Sequence, residues 1–186
     1  MPEPPSLIEI VCRPLEEVDV DDRYLAWFRD PDVVRFLESR DLERAEVIAF
    51  LNAGRGKQRF IDAICMSPSG LHIGNVKIDV NWKHSTADLS ILIGDKAHWG
   101  KGIASMAVRL MTEKAFLRLG IRKLTAGIYA VNLGSLRCFE RAGWRLDSIQ
   151  RDHLLFEGRA VDRVVMSAFN SGAWVTGAPA QWAGSR

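Results

Sequence analysis

The chain lacks the marks of several protein classes. No apolar run approaches the ~20 residues of a membrane-spanning helix, so no membrane partner is expected. The opening residues, M-P-E-P-P-S, are neither basic nor strongly apolar. No secretory leader is expected from them, and the predicted compartment is the cytoplasm. Neither charge sign is in excess: 25 Lys and Arg stand against 23 Asp and Glu, a net +2. That balance gives no reason to expect nucleic acid as a partner. Cysteine is sparse, and Cys12, Cys65 and Cys138 are far apart, with no C-x-x-C and no Cys/His cluster of zinc spacing. Neither a disulfide framework nor a metal is predicted.

What is present is an ordinary globular composition, 47% hydrophobic and 26% charged over 186 residues. That length suits one domain with a full core. Residues 7–170 are predicted to form it. Residues 171–186, rich in Gly, Ala and Ser and without periodicity, are predicted to be a tail outside the core.

Along the chain the pattern alternates between β and helical. Ile8 to Arg13 reads as a strand, closed by Pro14. Asp19 or Asp21 can cap a helix running through Tyr24, Leu25, Trp27 and Phe28, which Asp30-Pro31 stops. Short helices are predicted over Asp32 to Leu37 and from Asp41 to near Gly54 or Gly56, the latter with Val47, Ile48, Phe50 and Leu51 on its apolar face. Arg59 to Met66, Leu71 to Val80 and Asp88 to Ile93 read as strands. A strong helix follows from Gly102 to Leu119, then a strand over Lys123 to Ala130 and a helix over Ser135 to Ala142. Two last strands, His153 to Phe156 and Val161 to Ala168, flank the turn Glu157-Gly158-Arg159. The fold class predicted is mixed α/β, with helices on both faces of the sheet and a right-handed crossover between parallel strands.

The most informative segment joins the Asp88–Ile93 strand to the long helix through Gly100-Lys101-Gly102. The first N–H groups of a helix have no internal partners and sit at its positive end. Glycines let an anion approach them closely. Two better-known phosphate loops do not fit. A P-loop would need one residue fewer between Gly94 and Gly100, and a Ser or Thr where Gly102 stands. A dinucleotide fingerprint would need Gly where Ser105 stands.

Farther on come Asn132-Leu133-Gly134-Ser135, Phe139 and Gly143-Trp144. Together with Trp99-Gly100-Lys101-Gly102-Ile103-Ala104, this pattern resembles the GNAT superfamily of acyl-CoA N-acyltransferases, and within it the RimJ/RimL-like branch. The family's loop reads [QR]-x-x-G-x-[GA], and its second signature N-x-x-[SA], an aromatic, then G-F. The resemblance covers roughly residues 8–169.

It implies a GNAT-like fold, in which the sheet is mostly antiparallel and two parallel strands splay around the crossover helix. It also implies acetyl-CoA as co-substrate, its pyrophosphate on the backbone of Gly100, Lys101, Gly102, Ile103 and Ala104. The pantetheine arm would run beside the Asp88–Ile93 strand, splayed by a bulge, and meet Asn132 and Ser135. Asn132 reads equally well as a helix cap. Trp99 stands where the family carries Gln or Arg. Phe139 stands where many relatives carry a Tyr able to donate a proton, which Phe cannot do.

Acetyl transfer to an amine needs the reactants held in line, a neutral amine and a stabilised oxyanion. A backbone N–H at Leu92 or Ile93 is the candidate oxyanion donor. Asp88 is the candidate base and Ser135 the candidate donor to the thiolate. The resemblance places the acceptor between the N-terminal helices and the last hairpin, with Trp27, Asp30, Arg35 and Arg40 as candidates. The acceptor is expected to be a small-molecule primary amine, an amino sugar among the options, or a protein N-terminus. A non-catalytic acyl-CoA sensor, motivated by Trp99 and Phe139, stays open at this stage. A monomer or homodimer is expected.

Overall fold

The computed structural model describes residues 8–170; the predicted tail, residues 171–186, lies outside them. The elements in order are β1 (Ile10–Pro14), α1 (Asp22–Trp27), α2 (Arg44–Asn52), β2 (Arg59–Met66), β3 (His72–Asn81), β4 (Thr86–Ile93), α3 (Ile103–Arg118), β5 (Lys123–Tyr129), α4 (Leu133–Arg141), β6 (Arg145–Phe156) and β7 (Arg159–Phe169). The strands form one seven-stranded sheet in the order β1-β2-β3-β4-β5-β7-β6. Every neighbouring pair is antiparallel except β4 and β5, which α3 connects in parallel.

The sheet has a core on each face, and strand alternation decides which residue goes where. On β2, Phe60, Ile64 and Met66 face a cluster with Ile103, Val108, Met111 and Ala115 of α3 and Phe139 of α4. Ile61, Ala63 and Cys65 face the other way, against Tyr24, Leu25 and Trp27 of α1 and Val47 and Leu51 of α2. Helices thus cover both faces, as expected.

Local capping chemistry accounts for the helix boundaries. Asp21, of the two candidates, caps α1 by accepting from the Tyr24 N–H at 2.8 Å. The helix predicted from Asp41 begins three residues later. Asp41 has φ +46, outside the helical region, and Glu43 with Glu46 forms the capping box instead. The expected apolar face of α2 loses Phe50, which is exposed beneath the Arg59 guanidinium, 4.1 Å from its ring centroid. The segment predicted as a helix over Asp32 to Leu37 is a series of turns. Asp30 Oδ1 accepts from the N–H groups of Asp32 and Val33, which competes with a helical ladder.

β6 is far longer than the expected His153 to Phe156. It is an edge strand, exposed along most of its length, with register shifts at Leu146/Ser148 and Gln150/Leu154. Such a strand has no dry face to impose alternation on its sequence.

The feature that shapes the site is the parting of β4 from β5. They pair at three positions, Thr86↔Lys123, Ala87↔Leu124 and Asp88↔Thr125. Beyond Asp88 they separate, while β4 stays on β3 through Ile93 and β5 stays on β7 through Tyr129. The register between β3 and β4 is unbroken, so the splay forms without the expected bulge.

Candidate active site

The glycine turn stands at the mouth of the splay. A short turn of 3₁₀ helix, Lys96–His98, is capped by Asp95, whose carboxylate accepts from the Ala97 N–H at 3.0 Å. The chain then passes Gly100 at φ +74 and Gly102 at φ +79, and Gly102 caps α3. Residues with a Cβ resist this conformation. The space where a Cβ would stand at either glycine is open for 4 Å. The N–H groups from Gly100 to Ser105 meet no acceptor among the described residues, the first later donor being Met106 to Gly102 O at 3.2 Å. Six consecutive donors at the positive end of a 16-residue helix, with open space over two of them, make a cradle for an anion. Lys101, exposed beside it, adds a point charge.

The orientation of β4 follows from one hydrogen bond at its end. The Gly94 N–H donates to Ile73 O on β3 at 2.9 Å. Backbone groups alternate sides along an antiparallel pair. Leu92 therefore spends its N–H on β3, opposite Asn75, while Ile91 and Ile93 turn theirs into the splay. Of the two candidate oxyanion donors, Ile93 faces the cleft and Leu92 faces away from it. The Ile93 carbonyl points the same way and is taken: the Trp99 indole N–H donates to it at 2.8 Å. Trp99, 44% exposed, thus closes off a backbone acceptor at the cleft mouth.

At the start of α4, the Asn132 side chain accepts from the Ser135 N–H at 3.1 Å, so Asn132 is a helix cap. Its amide NH₂ and the half-buried Ser135 hydroxyl have no partner among the described residues. Phe139 belongs to the core, 2% exposed and edge-on to Trp144 at 4.8 Å. Burial pushes the Cys138 thiol up, so it is no thiolate nucleophile.

Asp88 marks the floor of the splay. Its carboxylate accepts from Thr125 Oγ1 at 2.6 Å, across the last position where the strands pair. It is exposed and stands three residues from Ile91, roughly 10 Å along a strand.

The acceptor candidates divide. Trp27 is 5% exposed within the α1–α2 core, and a Cβ on Gly94 would run into its ring. Asp30 holds Lys96 Nζ at 2.7 Å. That ammonium, by its hydrogen bond, keeps the carboxyl below the usual carboxylate range. Arg35 and Arg40 do line a cavity of ≈ 290 Å³, together with Tyr129, Phe156 and Glu157. Arg35 reaches Glu157 at 3.2 Å and lies over the rings of Phe36 and Phe156, which stack at 5.1 Å. The last hairpin thus meets the segment after α1, as expected. Tyr129, Phe156 and Glu157 were not foreseen individually. The turn residues Glu157-Gly158 were visible, but not what they would touch.

Comparison with known proteins agrees with this geometry. The sequence profile of the family described as an acetyltransferase (GNAT) domain matches residues 9–145. The chain is 41% identical over 76 residues to the probable N-acetyltransferase YjcK of Bacillus subtilis (strain 168); that stretch spans 41% of this chain and 42% of YjcK. It is 24% identical over 161 residues to the uncharacterized N-acetyltransferase p20 of Bacillus licheniformis, covering 82% of this chain and 87% of p20.

Among solved structures, the spermidine N-acetyltransferase of Vibrio cholerae, in complex with CoA and spermine, matches with a TM-score of 0.78 at 19% identity. The match covers 87% of this chain and 96% of that one. A GNAT-family acetyltransferase from Bacillus anthracis matches with a TM-score of 0.74 at 17% identity, over 87% of this chain and 95% of that one. At such identities the likeness speaks for the fold. The family match runs from β1 through the splay and the glycine turn to the first residue of β6, and on that ground the chain belongs to the GNAT acetyltransferase family.

Proposed function

We propose that the chain transfers an acetyl group from acetyl-CoA to the primary amine of a small molecule by direct attack on the thioester. The observation that carries this reading is the cradle at Gly100 to Ser105, opening onto a strand whose N–H groups face an unpaired cleft. The cofactor, when bound, supplies an activated acetyl group on a good leaving thiol. Gly100, Lys101, Gly102, Ile103 and Ala104 hold its pyrophosphate through their backbone, and Asn132 and Ser135 meet its pantetheine arm.

Ile93 and Ile91 present N–H groups to the oxygen that gains charge. Such a donor, fixed in advance, costs no reorganisation as the reaction proceeds. Asp88, held by Thr125 and in contact with solvent, takes the amine proton through water. Ser135 offers its hydroxyl to the departing thiolate. Arg35 and Arg40 line the acceptor cavity.

A half-open cavity of ≈ 290 Å³ supports a small acceptor over a protein N-terminus, the alternative that the RimJ/RimL-like resemblance keeps in view. The experiment is thiol release from acetyl-CoA with a panel of small amines, amino sugars and peptides. It is paired with thermal unfolding in acetyl-CoA, ATP and NAD. Acetyl-CoA should stabilise by mass action well beyond the other two. Equal stabilisation by ATP would remove the cofactor assignment, and turnover confined to peptides would favour the alternative.

A further inference from the structure

Gly127 lies in the interior of β5, where glycine weakens a strand and commonly marks a close approach. The group approaching it is the Arg163 guanidinium of β7: a Cβ on Gly127 would collide with it. Arg163 is half-buried and donates to Gln150 Oε1 at 3.0 Å, with no carboxylate partner among the described residues. It lies across the ladder from Tyr129, which lines the acceptor cavity. It also stands over the stretch of β5 that has left β4.

Arg40, in the cavity wall, likewise has no carboxylate partner among the described residues. The acid of the cavity wall and the two carboxylates before it are committed. Glu157 serves Arg35 at 3.2 Å, and Asp30 and Asp32 serve Lys96 at 2.7 and 3.0 Å. Arg40 in the cavity wall and Arg163 beside it are thus guanidiniums without a carboxylate, while Glu157, the acid of that wall, is paired.

Resting on the proposed N-acetyltransferase reading, we infer that the acceptor carries an anionic group, a carboxylate or a phosphate, besides its amine, and that Arg163 and Arg40 read it. A guanidinium presents a planar fork of donors matched to such oxyanions. The missing side chain at Gly127 gives that fork its seat beside the cleft. The same charge disfavours a polycation, since a like charge brought to a partly desolvated guanidinium is repelled. The chain thus differs in expected acceptor from the spermidine enzyme whose fold it shares.

The test uses the full chain with acetyl-CoA and two matched pairs of probes. Glucosamine 6-phosphate against glucosamine reads a phosphate; 4-aminobutyrate against butylamine reads a carboxylate. Spermidine is the fifth probe. One anionic member should exceed its neutral counterpart, and spermidine, at least 10-fold in kcat/KM, and the pair that responds names the anion. Arg163→Gln should remove that advantage through KM, Arg163→Lys should restore part of it, and Gly127→Ala should mimic the loss by unseating the guanidinium. All three variants should still be stabilised by acetyl-CoA.

Where no probe turns over, calorimetric binding of the same probes to the CoA-loaded protein must give the same ranking. Equal use or binding of charged and neutral members, or a preference for spermidine, overturns the inference while leaving the acetyltransferase reading intact. Failure of acetyl-CoA to stabilise the wild-type chain overturns the acetyltransferase reading itself.

Discussion

The indole N–H of Trp99 donates to the Ile93 carbonyl across 2.8 Å, tying the start of the glycine turn to the end of the splayed strand. It satisfies one of the backbone acceptors that β5 would have met had the strands stayed together. Trp99→Phe keeps the ring and removes the bond. A neutral hydrogen bond contributes about 0.5–1.5 kcal/mol net, so KM for acetyl-CoA is expected to rise about 2–10-fold with the fold intact. Steady-state kinetics beside a thermal melt would check it, and an unchanged KM would show that the tie does not order the cleft.

Gly102 separates strain from charge. Gly102→Ala places a Cβ in open space but at φ +79. It should cost about 1–2 kcal/mol of stability and leave stabilisation by acetyl-CoA in place. Gly102→Asp adds a carboxylate at the cradle and should abolish that stabilisation. Melting curves with and without acetyl-CoA distinguish the two. Normal stabilisation of the Asp variant would mean that the pyrophosphate lies elsewhere.

In the proposed reaction Ser135 assists the thiolate, since Phe139 is sealed in the core. A hydrogen bond to a charged group contributes roughly 1.5–3 kcal/mol. Ser135→Ala should therefore lower kcat by about 10–150-fold. A normal kcat with raised KM for acetyl-CoA would reassign Ser135 to binding alone. Phe139→Tyr is expected to destabilise, because it buries a hydroxyl against Trp144.

Asp62, 2% exposed, receives Lys114 Nζ at 2.6 and 2.8 Å and joins β2 to α3. Lys114→Met strands a buried carboxylate and should cost about 3–5 kcal/mol, whereas the double change to Asp62→Leu with Lys114→Met should recover most of it. Urea denaturation of the two variants beside the wild type is the measurement. A small effect of the single change would show that water reaches Asp62.

His72 is 5% exposed, with Nε2 at 2.9 Å from both Gly74 O and Asn75 Oδ1 and the Trp27 ring edge-on at 5.0 Å. Both partners are acceptors, so Nε2 is assigned the proton. Burial holds the imidazole pKa below its ordinary 6.5, the hydrogen bonds to Asn75 and Gly74 and the charge of Asp19 opposing and that of Arg23 assisting. The unfolded chain then binds the proton more readily, so stability is complete above pH 6.5 and falls as pH drops below it. His72→Gln should flatten that fall. A second loss at more acid pH should remain, because Asp19, held low by its hydrogen bond from Arg13, protonates there. Denaturation midpoints from pH 7.5 to 4.5 would show whether the slope belongs to His72.

Several features were legible because they are local. The Asn132 cap, the Asp21 cap, the Gly102 turn and the β2 strand depend on side chains and backbone preferences within a few residues, and the structure has them where the pattern put them. The helix expected over Asp32 to Leu37 failed for an equally local reason: Asp30 offered the backbone a competing acceptor. Most of β6 stayed hidden because an exposed edge leaves no hydrophobic period to read.

The sequence by itself thus determined most of the order of elements, a core on both faces of the sheet and the glycine turn that opens α3, all through periodicity, capping and glycine conformation. Only the tertiary structure decided which backbone donors face the cleft, since a strand's register against its neighbour is not written in the strand. It alone buried Trp27 and brought Arg35 to Glu157, 122 residues apart. And it alone laid Arg163 over Gly127, because a pairing between strands is chosen by how the whole sheet closes.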